Sequence, residues 1–386
     1  MRYFSLVFIL SIVLLAGCAH QNAITPLPGT AGTSAGSVSP ATAFKLIYSF
    51  KGKPDGERPE ARLAFLDGAF YGTTQFGGTD GKGVVFEVKT DGTEKVLRSL
   101  SRPDGDSPIT GLVPRGAVFF GATQSGGKNN RGTFFEIKRD GTLKVLYNFT
   151  DSTGGNPAGE LLSVGGLFYG VAGSGGAHGL GAVYSITAEG QYTLIHSFAG
   201  GDDGASPLGG LELLDRHFYG TTFKGGAKGL GTVYEITSEG TEKVVHTFTG
   251  ANGDGAEPAA ELAALNGAVY GTTFRGGIGV GVVFEVRKDG RVRIVHTLKQ
   301  QEGTRPLAGL TAFNGALYGV TTKGGPKLHG TIFQVKPDGT FNVVHTFDNK
   351  NGSDARASLL ERNGKLYGTT VGGGAHFHGT VFELTP

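Results

Sequence analysis

The sequence predicts an all-β fold, a seven-bladed propeller of four-stranded antiparallel blades. Three observations carry the expectation: a unit that recurs seven times, four strand-like runs within each unit, and a chain that opens with the piece its last unit lacks. The composition agrees. Of 386 residues, 69 are glycine, none is tryptophan and 38% are hydrophobic, a profile of many short strands joined by tight turns.

The N-terminus comes first and reads as an address. Arg2 precedes a mostly apolar run from Tyr3 to Leu15, too short to span a bilayer comfortably, and Leu15-Ala16-Gly17-Cys18 follows directly. That tetrad resembles a bacterial lipobox. The resemblance implies a lipoprotein signal peptide over residues 1–17 and acyl chains, palmitate among them, on Cys18. Two or three chains, at roughly 0.8 kcal/mol per buried methylene, hold a protein on a membrane where one would not. Ala19 after the cysteine, rather than Asp, implies the outer membrane. Cys18 is the only cysteine, so the body of the protein has no internal disulfide and no cysteine-based zinc site. Residues 18–43 read as the lipidated cysteine and a flexible tether rich in Ser, Thr, Pro, Gly and Ala, with an r.m.s. reach of about 25–30 Å.

The propeller is expected over residues 44–386. An aromatic-Gly pair recurs at Tyr71-Gly72, Phe120-Gly121, Tyr169-Gly170, Tyr219-Gly220, Tyr270-Gly271, Tyr318-Gly319 and Tyr367-Gly368, at spacings of 48 to 51 residues. In the first unit the runs 61–66, 69–74, 84–90 and 93–100 are rich in Val, Leu, Phe and Tyr and are split by turn residues. We name these strands a to d. Asp67-Gly68, Arg115-Gly116, Asn266-Gly267, Asn314-Gly315 and Asn363-Gly364 read as two-residue a–b hairpins. Asp91-Gly92, Asp140-Gly141, Asp289-Gly290 and Asp338-Gly339 are expected to do the same between c and d. The seventh unit ends at Pro386 without a d strand, and FKLIYSF at 44–50 matches FNVVHTF at 341–347. Pairing that orphan beside the last c strand closes the ring and leaves no exposed sheet edge.

The motif [Ala/Leu/Val]-Tyr-Gly-Thr-Thr-x-x-Gly-Gly followed by Gly-Thr-Val-[Phe/Tyr]-Glu resembles the tandem repeat of the choice-of-anchor GloVer family of extracellular bacterial proteins. Kelch repeats have a similar period but carry a tryptophan that is missing here. Phe120-Gly-Ala-Thr and Tyr169-Gly-Val-Ala depart from the pattern. The resemblance implies export and surface attachment, and no defined reaction.

Antiparallel order puts the d–a and b–c loops at one end of every blade and the short turns at the other, so binding is expected on the long-loop face. There the residue before Gly-Gly is Phe76, Ser125, Ser174, Lys224, Arg275, Lys323 and Gly372 in unit order. Phe223, Lys224, Phe274, Arg275, Lys323 and His329 are the candidate ligand-binding residues, because rings pack on sugar faces and cations pair with carboxylates. The same residues also read as solvated loop charges. The d–a loops repeat Asp-Gly at Asp55, Asp104, Asp203 and Asp254, where oxygens could hold calcium or serve a tight turn. His196, His246, His296 and His345 share a register of strand d with Tyr48, Arg98 and Tyr147 and read as packing between blades. His376 and His378 share a loop without a third ligand, so no metal, cofactor or catalytic residue is assigned. Lys+Arg at 35 against Asp+Glu at 33 leaves no basic tract for nucleic acid. The leading expectation is a cell-envelope binding module for a glycan, peptide or protein. The alternatives are a glycan-active lyase or hydrolase near the central channel, using Lys224, Arg275, Lys323 and His329, and a structural scaffold.

Overall fold

The computed structural model describes residues 43–386. The expected signal peptide, Cys18 and nearly all of the expected tether lie outside the described residues. Strand a is Ala64–Leu66, Val113–Arg115, Gly155–Val164, Glu212–Leu214, Ala263–Leu265, Thr311–Phe313 and Leu360–Arg362 in blades 1 to 7. Strand d is Glu94–Ser99, Leu143–Asn148, Tyr192–Ser197, Glu242–Thr247, Val292–Thr297 and Phe341–Thr346 in blades 1 to 6, and Ala43–Ser49 in blade 7. Seven four-stranded antiparallel sheets result, and in the last one Ala43–Ser49 lies beside Thr380–Thr385. The closing strand is thus confirmed, one residue earlier at each end than 44–50. Strands a of neighbouring blades touch, so they form the inner ring and the d strands form the rim.

Each blade is held by what it buries against the next. The aromatic-Gly pair shows how: a Cβ on Gly72 would come within 2.6 Å of the Phe86 ring, so the glycine makes room for the strand-c aromatic of its own blade. Phe86 then meets Phe50 edge-on at 5.0 Å, and Phe50 is fully buried at the end of the closing strand. Burial of one such ring stabilises by roughly 1.5–3 kcal/mol, and Leu100, Phe149, Phe198, Phe248, Leu298 and Phe347 repeat it.

Two turn readings change. Asp67, Asn266, Asn314 and Asn363 do adopt positive φ with the glycine that follows, as two-residue hairpins of that kind require. In blade 2, however, Arg115 pairs with Val118, so the turn is Gly116-Ala117 and Arg115 belongs to the strand. The c–d connections hold three residues: the Gly92 N–H donates to the Lys89 carbonyl and the Lys89 N–H to that of Thr93, with only the glycine at positive φ. The residue before that glycine serves differently, since Asp91 Oδ1 accepts the Thr93 N–H at 2.8 Å.

The register of histidines in strand d does pack between blades. His296 stacks on Phe341 with centroids 4.1 Å apart, His345 on Phe44 at 3.9 Å and Tyr147 on Tyr192 at 4.8 Å. The position also holds the d–a loop. Arg98 pairs with Asp104, Tyr48 donates to Asp55, and His196 and His246 meet Asp203 and Asp254. Each of these carboxylates accepts a backbone N–H as well, from Lys51, Ser101, Ala199 or Thr249. The Asp-Gly loops therefore use carboxylate oxygens to close themselves, as the tight-turn reading expects.

Candidate functional site

The long-loop face is built by threonines and paired loops. The second Thr of Tyr-Gly-Thr-Thr points its hydroxyl at the carbonyl two residues on: Thr222 to Lys224 at 2.8 Å and Thr273 to Arg275 at 2.6 Å. Each residue before Gly-Gly then pairs with the d–a loop, as Glu57 with Phe76, Ala205 with Lys224, Ala256 with Arg275 and Thr304 with Lys323. Lys224, Arg275 and Lys323 accordingly occupy one repeat position in blades 4, 5 and 6. Arg275 lies 3.3 Å from Glu257 and over the Phe274 ring, which Arg305 also faces. Phe223 donates its N–H to the Ser206 carbonyl, and the His329 carbonyl accepts from Asp354. The six candidates share a face without converging on one pocket.

A second set, not singled out in the sequence, lies where the d–a loops enter strand a. The residue before the strand-a leucine is Arg62, Gly111, Glu160, Gly210, Glu261, Gly309 and Ser358 around the ring. Large and small alternate, and the glycines are required. A Cβ on Gly111 would come within 2.0 Å of Glu160 Oε2, and one on Gly309 within 2.6 Å of Glu261 Oε2. Glu160 reaches from blade 3 across the channel mouth and accepts the N–H groups of Arg62 at 2.9 Å and Gly111 at 2.7 Å. Glu261 of blade 5 accepts the Ser358 hydroxyl of blade 7 and the Glu160 N–H. Two carboxylates thereby tie five blades across the axis.

The electrostatics follow from that crowding. Burial first, then the charge of Glu261, pushes the Glu160 carboxyl above the usual carboxylate range, while Arg62 and the two N–H donors oppose the rise. Burial raises Glu261 as well. Glu212, which follows the same leucine in blade 4, is pushed up to about 7 by burial and by Glu261, against the Ala264 N–H. Like charges in a partly dry channel favour keeping a proton on one of them. Arg62 is exposed and the three glutamates are half-buried, so solvent reaches the mouth. The ring can therefore donate and accept hydrogen bonds and supply one cation.

The profile of the Gloeobacter/Verrucomicrobia repeat matches residues 29–213 and again 189–382. No curated protein matches the sequence. Among solved structures, PorZ of Porphyromonas gingivalis, a surface component of the type-IX secretion system, is similar with a TM-score of 0.54 at 14% identity, over 87% of this chain and 47% of that one. A protein of Bacteroides uniformis provisionally assigned as a 6-phosphogluconolactonase gives 0.52 at 16% identity, over 78% and 89%. At these identities the likeness shows the propeller fold alone.

Proposed function

The chain belongs to the Gloeobacter/Verrucomicrobia repeat family, and from that premise we propose that it is an envelope binding module whose ligand seats on the long-loop face, over the channel mouth. The observation that carries the reading is the inner ring. Seven copies of one unit impose near-equivalence, yet Arg62, Glu160, Glu261 and Ser358 break it at one level, on the face with the long loops. Half-buried carboxyls kept above their ordinary range at a solvent-accessible mouth are a feature of binding and active sites. Hydroxyls of a sugar suit a carboxyl pair that both donates and accepts, and Arg62 with Lys224, Arg275 and Lys323 suits acidic substituents. We take the ligand to be an acidic glycan.

Titration against acidic glycans at low and moderate salt tests this. Arg62→Gln is expected to weaken binding roughly tenfold, as loss of a charge-assisted hydrogen bond does. Lys224, Arg275 and Lys323 changed together to Gln are expected to remove most of the salt dependence. Lys89, Lys138 and Lys336, at the ends of c strands beside the opposite face, give the control with the same change of net charge. An equal loss in the two triple variants would mean that only net charge matters, and the assigned face would be wrong. Release of shortened glycan in the same titration would favour the lyase or hydrolase reading over binding.

The lipid anchor is part of the proposal, on the strength of Leu15-Ala16-Gly17-Cys18 and the unique cysteine. Ala43, the first described residue, starts its strand at the short-turn end, paired with Thr385. Cys18→Ser is expected to move the protein from the detergent phase to the aqueous phase in phase separation. Density fractionation of the wild type is expected to place it with the outer membrane. A mutant that still partitions like the wild type would remove the anchor from the reading.

A further inference from the structure

The rim of the propeller carries a constellation that the binding face does not use. At the seam between blades 3 and 4, His196 near the end of one outer strand, Asp203 in the loop that follows and Glu242 at the start of the next outer strand place their ligand atoms within 4.8 Å of one another. His196 Nε2 lies 2.9 Å from Asp203 Oδ1. Asp203 Oδ2 accepts the Ala199 N–H, which fixes the carboxylate with its other oxygen toward the ring. Edge-on packing against Phe198, centroids 4.8 Å apart, holds the imidazole in place. Glu242 Oε1 is buried and has no hydrogen-bond donor.

That last atom is the anomaly. A buried carboxylate oxygen with no donor, beside a second carboxylate, is costly unless a cation satisfies it. The same seam is solved differently elsewhere. Val292 stands where Glu242 does beside His246 and Asp254, and Phe341 and Phe44 stack on His296 and His345. Glu94 Oε1 is likewise buried without a donor, but its Oε2 meets the Tyr48 hydroxyl and no imidazole stands there to complete a donor set. Within this register, a histidine faces two carboxylates only at the seam of blades 3 and 4.

We propose that this seam binds a divalent transition-metal ion of the zinc class, held by His196, Asp203 and Glu242. One imidazole nitrogen with two carboxylate oxygens is a donor set of intermediate softness, suited to Zn²⁺ more than to Ca²⁺ or Mg²⁺. Ligand atoms about 2.1 Å from a common metal lie roughly 3–4 Å from one another, so the trio needs only a small contraction by side-chain rotation. The Asp203–His196 contact already has that spacing. Side-chain exposures of 20% for His196 and 21% for Asp203 leave a route for entry and room for water to complete the shell. The ion would clamp two blades at the rim, where no ligand-binding role is assigned, so the proposal stands apart from the reading of the channel mouth.

The test is calorimetric titration of the chelator-stripped full chain in detergent with Zn²⁺, with Co²⁺ as a visible-absorption probe. One equivalent is expected, together with a higher melting temperature at saturating zinc. Glu242→Val copies the residue that the next blade carries, so it is expected to fold, and it should weaken binding at least about tenfold, as should His196→Ala. The converse variant is Val292→Glu, which completes the set beside His246 and Asp254 and should raise the stoichiometry to two. Absence of binding by the wild type would mean that a proton serves Glu242 and would overturn the proposal. Binding unchanged by Glu242→Val would overturn it too, by assigning the metal to other groups such as the His376 and His378 loop.

Discussion

Removal of residues 19–50 is expected to lower the melting temperature by at least about 10 °C relative to removal of residues 19–42, or to prevent folding outright. The longer deletion takes away Ala43–Ser49 and Phe50; the shorter one takes no described residue of the propeller. Six residues of that strand pair with Thr380–Thr385, so without it the last blade presents an open edge. Phe50 alone fills a gap against Phe86, and cutting a buried ring to alanine typically costs about 3–5 kcal/mol. Phe44, stacked on His345 and packed on Phe382, is lost as well. Since a stability change of 1 kcal/mol shifts the melting temperature of a large domain by roughly 2–4 °C, the losses add to well over the stated shift. Phe50→Ala in the intact chain separates ring filling from edge pairing and is expected to give about half the effect or less. Equal melting temperatures for the two truncations would show that the strand does not close the ring.

Closure was legible because the chain is split in a way that only a ring explains: a d strand at one end and a unit without one at the other. The blade strands were legible because seven copies average out the ambiguity of any one run. What escaped were features that depend on one residue more or less. Asp91-Gly92 looks like a two-residue hairpin pair, but the glycine closes a three-residue loop and the aspartate caps it, a distinction of register that composition does not carry. The inner ring escaped for another reason. Arg62, Gly111, Glu160, Gly210, Glu261, Gly309 and Ser358 stand before an invariably placed leucine and look like a position without preference. Superposing the units would have shown the alternation of large and small, since neighbours in a ring must interlock. Glu242 escaped because its partners arrive from the preceding blade, where periodicity within one unit gives no sign of them. Lys224, Arg275 and Lys323 pair with the d–a loops of their blades, and the Glu257 partner of Arg275 comes from a loop read only for its Asp-Gly turns.

Between pH 6.5 and 8.5 the wild-type propeller is expected to lose stability as the pH rises, by about 1–4 kcal/mol measured by urea unfolding with chelator present. The cause is the set of carboxyls that folding pushes upward. Burial raises Glu160 and Glu261, the charge of Glu261 adding to the rise of Glu160, Glu212 is pushed up to about 7, and Glu94 and Glu242 are pushed up to about 7 by burial and by the charges of Asp55 and Asp203. A carboxyl whose folded pKa exceeds its unfolded value binds its proton more tightly when folded. Unfolding then releases protons, and stability falls with pH from the unfolded pKa up to the folded one. His345 acts the other way, because burial lowers it to about 4, so that its contribution to stability rises between pH 4 and its unfolded value near 6.5. Above that value it is neutral in both states, which leaves the carboxyls to set the slope. The partial exposure of these carboxyls and the Arg62 charge keep the sum well below what buried carboxyls in a dry interior would give. Glu160→Gln leaves one of two backbone N–H donors facing an amide nitrogen and is expected to cost stability at pH 5.5, where the wild-type carboxyl holds its proton. Glu261→Gln keeps the Ser358 partner and is the cleaner probe. It removes one carboxyl and relieves the other, so its stability relative to wild type is expected to improve steadily from pH 5.5 to 8.5. A wild-type curve that is flat over that range, or a slope unchanged in Glu261→Gln, would mean that the channel carboxyls are ionised at neutral pH and solvated by water that fills the mouth.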